Sequence, residues 1–335
     1  MINDRLQRSL DYLRISLTDR CNYRCTYCMP KDIFDHDHRF LQKNQLLSFE
    51  EIISFVQILS RFHLKKIRLT GGEPLLRRNI ETLISSLKND VGIENLSLTT
   101  NGSLLDYDKC RLLKQNGLDA ITISLDSLRD STNSMLNPYS NVKKVIDSIY
   151  TVIDVFGFVK INVVVMAGVN SNQILEIIEK FKNFNIEIRF IEFMDVGETN
   201  QWNLKKVFSS KLIIDEVKRG YELLELPYEK GSTAQKWKLV NYPAHIGTIS
   251  SITQPFCNSC SRARLSANGI FYTCLFASHG YDVLSKLREH EDHDQVGREI
   301  ETIWKNRVDQ YSLDRLSNKI KIQKYSKIEM SYIGG

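Results

Sequence analysis

Between residues 13 and 194, short β-branched runs alternate with longer amphipathic stretches, and this alternation restricts the fold more than any other feature. The strand-like runs fall at 13–17, 66–69, 96–99, 120–125, 159–165 and 187–191. Between them apolar residues recur at helical spacing, over 78–89, 106–116, 141–156 and 171–184. An earlier helix is announced by "SFEEIISFVQILSRF", where Ser48 and Glu51 have capping-box spacing and Ile52, Phe55, Val56 and Leu59 form one stripe. Strands separated by helices imply parallel βαβ units. Runs such as "KINVVVM" are apolar nearly throughout, which predicts strands covered on both faces. Such a sheet is either open and doubly wound or curved into a partial barrel. In both, chemistry belongs at the C-terminal ends of the strands.

That rule gathers the motifs on one rim. Cys21, Cys25 and Cys28 follow the first strand, "TGGEPLL" the second and "FMDVG" the sixth; "TTNGS" ends the third strand, and Ser124 with Asp126 ends the fourth. The 335 residues carry a net charge of +5, too little to predict a nucleic-acid partner. No apolar run approaches the roughly 18 residues of a membrane span. "MINDRLQRSLDYLR" lacks the layout of a secretory signal, so a cytoplasmic protein without a membrane partner is expected.

Without that layout, a disulfide framework is not expected, and clustered thiols point to metal or catalysis. The seven cysteines divide as three, one and three. Cys110, among helical residues, is expected to be a buried bystander. The spacing C-x3-C-x2-C offers three thiolates where a four-iron cluster needs four ligands, leaving one iron open to a small chelating molecule. A zinc site completed by a distant ligand, or three structural thiols, is the alternative. The second trio, Cys257, Cys260 and Cys274, taken alone suits zinc slightly better. Beside it, Arg262 and Arg264 in "SRAR" have the rigid donor fork that suits a triphosphate or purine.

The first trio after a first strand, with Tyr27 inside it and "GGEP" after the second strand, resembles the radical S-adenosylmethionine superfamily. The resemblance implies an α/β partial (β/α)6 barrel of that type. It also implies a [4Fe-4S] cluster on Cys21, Cys25 and Cys28, whose open iron takes the amine and carboxylate of S-adenosylmethionine. Tyr27, Gly72, Ser124 and Met194 would meet that cofactor, and its reductive cleavage would release a 5′-deoxyadenosyl radical.

Both trios together, with "RISLTDRCNYRCTYCMP", "IRLTGGEPLLR", "IRFIEFMDVG", "CNSCSRARLSANGIFYTCLFA" and the terminal "IGG", resemble the GTP 3′,8-cyclases of molybdenum cofactor biosynthesis. This implies a second [4Fe-4S] cluster on Cys257, Cys260 and Cys274, open towards the guanine. It implies a GTP pocket of Arg14, Arg68, Thr99, Lys160, Arg189, Arg262, Ala263 and Arg264. Arg262, Arg264 and a tail ending in Gly334 and Gly335 would support the chemistry. In that chemistry the radical removes H3′ of GTP and C3′ bonds to C8, giving (8S)-3′,8-cyclo-7,8-dihydroguanosine 5′-triphosphate. A homodimer, a flavodoxin or ferredoxin reductant and a downstream cyclic pyranopterin monophosphate synthase are implied as partners. The expected domains are a radical-type barrel core at 1–200 and a smaller α+β domain at 201–335, which carries the second cluster and the tail.

Two other functions fit parts of the pattern: another radical S-adenosylmethionine enzyme with an auxiliary cluster, and a non-catalytic zinc or iron–sulfur scaffold. Among single residues, Lys160 at a strand start also fits a solvated position. Arg68 and Arg189 sit mid-strand, where a buried charge without a partner is costly, and that favours a functional partner for both.

Overall fold

The computed structural model describes residues 1–289, 293–317 and 327–334. Its first six strands are β1 (Tyr12–Ser16), β2 (Lys66–Thr70), β3 (Asn95–Thr100), β4 (Ala120–Ser124), β5 (Val159–Val165) and β6 (Ile186–Glu192). They lie side by side in sequence order, all parallel. The intervening helices are α1 (Phe49–Ser60), α2 (Ile80–Ser85), α3 (Tyr107–Gln115), α4 (Asp130–Leu136), α5 (Val142–Phe156) and α6 (Ile174–Phe181). The capping box of α1 forms as its spacing predicts: Glu51 N–H donates to Ser48 Oγ at 3.1 Å, and Ser48 N–H donates to Glu51 Oε2 at 2.7 Å. The expected 78–89 helix ends α-helically at Ser85 and continues as a wider π turn over Ser86–Asp90.

After α7 (Ser210–Lys218) come β7 (Leu223–Glu225), β8 (Gln235–Leu239), β9 (His245–Ile249), β10 (Arg262–Leu265), β11 (Ile270–Tyr272) and β12 (Tyr281–Asp282). These later strands join the same sheet at both edges, in the order β12-β11-β10-β1-β2-β3-β4-β5-β6-β9-β8-β7. β10 pairs parallel to β1 and β9 parallel to β6, so eight parallel strands are flanked by antiparallel ones. Helices α8 (Val283–Glu289), α9 (His293–Lys305), α10 (Tyr311–Leu316) and α11 (Met330–Ile333) follow.

Alternate strand residues point to opposite faces. One face, with Leu13, Ile15, Ile67, Leu69, Leu98, Ile121, Ile123, Ile161, Val163, Ile188 and Phe190, is fully buried in the main core with Cys110. Burying each such aliphatic side chain is worth about 1.5–3 kcal/mol. The other face carries Tyr12, Arg14, Arg68, Thr99, Lys160, Asn162, Arg189, Arg262 and Arg264, in register across the strands. β5 therefore alternates, with Lys160, Asn162 and Val164 only half-buried, rather than lying between two apolar layers. The reason is that its inner face lines a polar interior.

The sheet curls around that interior. The Arg189 charge on β6 acts on Arg68 of β2 and on Tyr12 of β1. Four and five strand spacings in a flat sheet would separate them by about 19 and 24 Å, too far for such an effect.

Candidate functional site

The first cysteine loop leaves β1 and is held from three sides. Arg24 donates to the carbonyls of Cys21 (2.7 Å), Tyr23 (2.9 Å) and Phe34 (2.6 Å). The end of α4 supplies Leu136 O, which accepts from Thr26 N–H at 2.8 Å, and Asn137 Oδ1, which accepts from Arg24 N–H at 3.1 Å. The "TGGEP" turn runs against the loop backbone: Gly72 N–H donates to Thr18 O at 2.7 Å and Glu73 N–H to Arg20 O at 2.8 Å. A Cβ on Gly72 would lie 2.2 Å from Arg20 O, so this approach needs glycine.

Burial pushes the Cys21 thiol up to about 11, with the Glu73 charge adding to it. Burial also raises Cys25 and Cys28; the Asp126 charge and the other two thiols add to it at Cys25, and the Cys21 thiol and the Glu329 charge at Cys28. Three desolvated thiols, each beside a carboxylate, form a donor set that becomes thiolate only against a strong positive centre. Among the described residues, the single group whose three ligand atoms all lie within 4.8 Å of one another is the exposed Asp35, His36 and Asp37. Neither cysteine trio is that tight. One zinc at about 2.3 Å from each sulfur would hold them within about 4.6 Å. Cysteine thiolates are the usual ligands of an iron–sulfur cluster, so the donor set fits one.

Around this loop, Tyr27 Oη donates to Asp126 Oδ2 at 2.6 Å, and Asp126 also accepts from Val164 N–H at 2.8 Å. Burial raises the Asp126 carboxyl to about 6. Ser124 ends β4 in register with Asn162. Met194 follows β6, and its carbonyl accepts from Asn200 Nδ2 at 3.1 Å.

The curled interior is strongly cationic. Burial lowers Arg14 well below its usual range, and Arg264 lowers it further. Burial brings Lys160 down to about 8, with Arg189 adding to it. Arg189 is ion-paired to Glu187, and Arg68 reaches Thr99 Oγ1 at 3.4 Å. The buried Nε atoms of Arg14 and Arg68 have no hydrogen-bond partner among the described residues. Burial pushes the Tyr12 phenol up, but Arg68, Arg14, Arg262 and Arg189 outweigh it and bring it to about 8. An interior with this much uncompensated positive charge suits a polyanion.

The second trio flanks the β10–β11 pair, with Cys257 and Cys260 just before β10 and Cys274 just after β11. Burial opposes ionisation of Cys260, yet Arg262 and Arg307 pull it down to about 6, while burial pushes Cys274 up to about 12. Arg262 Nη2 lies 3.3 Å and Arg307 Nη2 3.6 Å from Cys260 Sγ. Arg8 donates to the carbonyls of Cys257 and Asp309, both at 2.8 Å, and Arg307 to Cys260 O at 2.8 Å. Asp4 binds both arginines, Arg8 at 2.6 Å and Arg307 at 3.4 Å.

The sequence matches the Radical SAM superfamily over residues 15–181 and Molybdenum Cofactor Synthesis C over residues 186–313. It is 44% identical over 339 aligned residues to a protein named GTP 3′,8-cyclase from Staphylococcus epidermidis, covering 100% of this chain and 99% of the relative. Proteins of the same name from Staphylococcus haemolyticus and Staphylococcus aureus are 41% and 39% identical, again over 100% of this chain and 99% of theirs. The chain belongs to the GTP 3′,8-cyclase family. Among solved structures, Streptococcus suis SuiB bound to S-adenosylmethionine gives a TM-score of 0.61 at 13% identity, covering 86% of this chain and 65% of that one. SuiB in a further crystal structure gives 0.60 at 14%, covering 90% and 66%. This likeness shows the fold.

For a member of the GTP 3′,8-cyclase family, most of the expected site residues converge. Arg14, Arg68, Thr99, Lys160, Arg189, Arg262 and Arg264 share the inner face. Ala263 lies between two of them with its side chain turned into the core beside Leu13, so only its backbone borders the interior. Gly334 enters from the tail: Arg264 donates to its carbonyl, and a Cβ on it would lie 2.3 Å from Thr70 Cγ2. Gly335 lies outside the described residues.

Sequence reasoning missed Glu73, which accepts from Thr100 Oγ1 (2.7 Å) and Asn101 N–H (2.8 Å), and whose carboxyl burial raises to about 7. It also missed Tyr12, Asp4, Arg8 and Arg307. The i, i+4 spacing of Asp4 and Arg8 was visible, but nothing local tied it to Cys260.

Proposed function

We propose that the protein is a GTP 3′,8-cyclase. It uses S-adenosylmethionine and two [4Fe-4S] clusters to join C3′ to C8 of GTP, in the first step of molybdenum cofactor biosynthesis. The observation that carries this reading is the cationic interior, which lies between two sets of three thiols and holds the buried Nε atoms of Arg14 and Arg68, without partners among the described residues.

When bound and reduced, the first cluster and S-adenosylmethionine supply an oxidising carbon radical able to take the C3′ hydrogen. Cys21, Cys25 and Cys28 hold that cluster and Cys257, Cys260 and Cys274 the second. Tyr27, Gly72, Ser124 and Met194 line the cofactor side, where the Tyr27–Asp126 bond fixes the ring. Arg14, Arg68, Thr99, Lys160 and Arg189 bind the nucleotide, the guanidinium forks matching phosphate oxygens. Arg262 and Arg264, with Ala263 between them, orient the base beside the second trio, and the tail at Gly334 closes this side of the pocket. Together these groups hold C3′ in place and exclude water and stray hydrogen donors.

The reading extends to a barrel core at 1–200 with an auxiliary-cluster region at 201–335. It includes a homodimer in the cytoplasm, reduction by a flavodoxin or ferredoxin, and delivery of product to a cyclic pyranopterin monophosphate synthase. The described residues include no helix long and apolar enough to cross a membrane.

The test is anaerobic reconstitution, with iron and zinc counted, followed by reductant, S-adenosylmethionine and GTP. The proposal requires about eight irons per chain, 5′-deoxyadenosine and the cyclised nucleotide. Cofactor cleavage with GTP untouched would favour a different radical enzyme, and zinc without iron a scaffold.

A further inference from the structure

Between the cationic interior and the loop after β6, residues 327–334 make two separate attachments. The inner one is Gly334, bound by Arg264 and packed on Thr70. The outer one lies on the segment that follows Met194. There the Glu329 carboxylate accepts three hydrogen bonds, from Glu198 N–H (2.8 Å), Thr199 N–H (3.2 Å) and Thr199 Oγ1 (2.8 Å). The pairing is reciprocal, because Glu198 Oε1 accepts from Lys327 N–H at 3.0 Å. Lys327 Nζ donates to Asp195 O at 3.0 Å and meets Asp195 Oδ2 at 3.2 Å. Asp195 is fully buried and is held from its other side by Arg315 and Tyr311.

Gly197 completes the fit. A Cβ there would lie 2.2 Å from Glu329 Oε2, so the loop leaves room for that carboxylate. From Glu329 the chain turns once through α11, where Tyr332 and Ile333 N–H donate to Glu329 O, and then reaches Arg264.

We propose that the Asp195–Thr199 loop is a receptor for the C-terminal tail, and that Glu329 and Lys327 are the positioning residues that seat Gly334 on Arg264. The inference rests on the cyclase reading only in assigning the seated tail to the GTP pocket. The loop that begins beside Met194 then joins the cofactor side of the site to its substrate side. Glu329 acts through its hydrogen bonds, so an amide that keeps them can replace the carboxylate. Gln can accept from both backbone N–H groups through Oε1 and donate to Thr199 Oγ1 through Nε2.

The experiment uses the reconstituted holoenzyme with Glu329→Ala, Glu329→Gln and Thr199→Val. Three quantities are measured: iron content, hydrogen exchange at the Tyr332 and Ile333 amides, and GTP turnover with S-adenosylmethionine. Glu329→Ala should keep its iron, exchange at least about tenfold faster in the tail and lose kcat for GTP by a similar factor. Thr199→Val should show the same changes, smaller. Glu329→Gln should stay near wild type in all three. Unchanged tail exchange in Glu329→Ala overturns the proposal. So does a Gln variant as impaired as Ala, since the charge and not the bonding would then be what acts. If tail exchange follows this order while the wild type leaves GTP untouched, the receptor stands and the cyclase reading fails.

Discussion

Gly72 packs so closely on Arg20 that a Cβ on it would lie 2.2 Å from the Arg20 carbonyl oxygen and 2.5 Å from its carbonyl carbon. Those atoms are backbone and open the first cysteine loop, so they cannot swing aside as a flexible side chain would. Gly72→Ala should therefore displace Cys21 while leaving the apolar core intact. The expected result is a folded protein with a melting temperature within a few degrees of wild type, holding roughly half the iron. Full iron loading in this variant would contradict the packing account.

Asp4, Arg8 and Arg307 form a buried ionic triad that fixes the carbonyls of Cys257 and Cys260. Removing Asp4 leaves the two buried arginines without their shared counter-charge, at a cost of about 3–5 kcal/mol. Asp4→Asn should lower the unfolding free energy by that amount and preferentially deplete the second cluster. Electron paramagnetic resonance of the reduced protein would show the first cluster's signal retained. Equal loss of both signals would mean that the triad serves the fold as a whole.

Arg14 is a desolvated cation beside Arg264, and its Nε has no partner among the described residues. Replacing it should help the empty protein and harm the loaded one. Arg14→Met is expected to raise stability without nucleotide by about 1–2 kcal/mol and to weaken GTP binding about tenfold or more. Calorimetry with and without GTP checks both signs. A destabilised apoprotein would show that Arg14 is paid for by structure rather than by substrate.

Glu73 is almost fully buried, and burial lifts its carboxyl from 4.5 to about 7 against the hydrogen bonds it accepts. The folded chain thus holds a proton that the unfolded chain has released between pH about 4.5 and 7. This contribution is most favourable at the acid end and falls as pH rises through that window, by about 3 kcal/mol at most. In urea titrations of the apoprotein, the stability of wild type relative to Glu73→Gln should decline from pH 5 to pH 8. A constant difference would place the Glu73 pKa in the ordinary carboxylate range.

What could be read from the chain was local or periodic. The Ser48–Glu51 box and the two cysteine trios needed only spacing, and the six parallel strands needed only alternation. The inner-face cations were expected from resemblance, and Arg68 and Arg189 had also drawn notice as charges placed mid-strand. What escaped depends on contacts distant in sequence. Asp4 and Arg307 meet across 303 positions, and Glu329 meets Thr199 across 130. That the strands after residue 220 join both edges of one sheet follows from pairing partners that no local pattern names. "KINVVVM" misled for a related reason: its inner residues line a polar interior, which a run of apolar letters conceals.

The central claim is that this interior holds GTP with C3′ presented for hydrogen removal. The most direct measurement supplies GTP deuterated at C3′ to the reduced, reconstituted protein with S-adenosylmethionine and weighs the 5′-deoxyadenosine formed. The account predicts transfer of one deuterium from C3′ into that product, in step with loss of GTP. Unlabelled 5′-deoxyadenosine formed alongside cyclised nucleotide would contradict it.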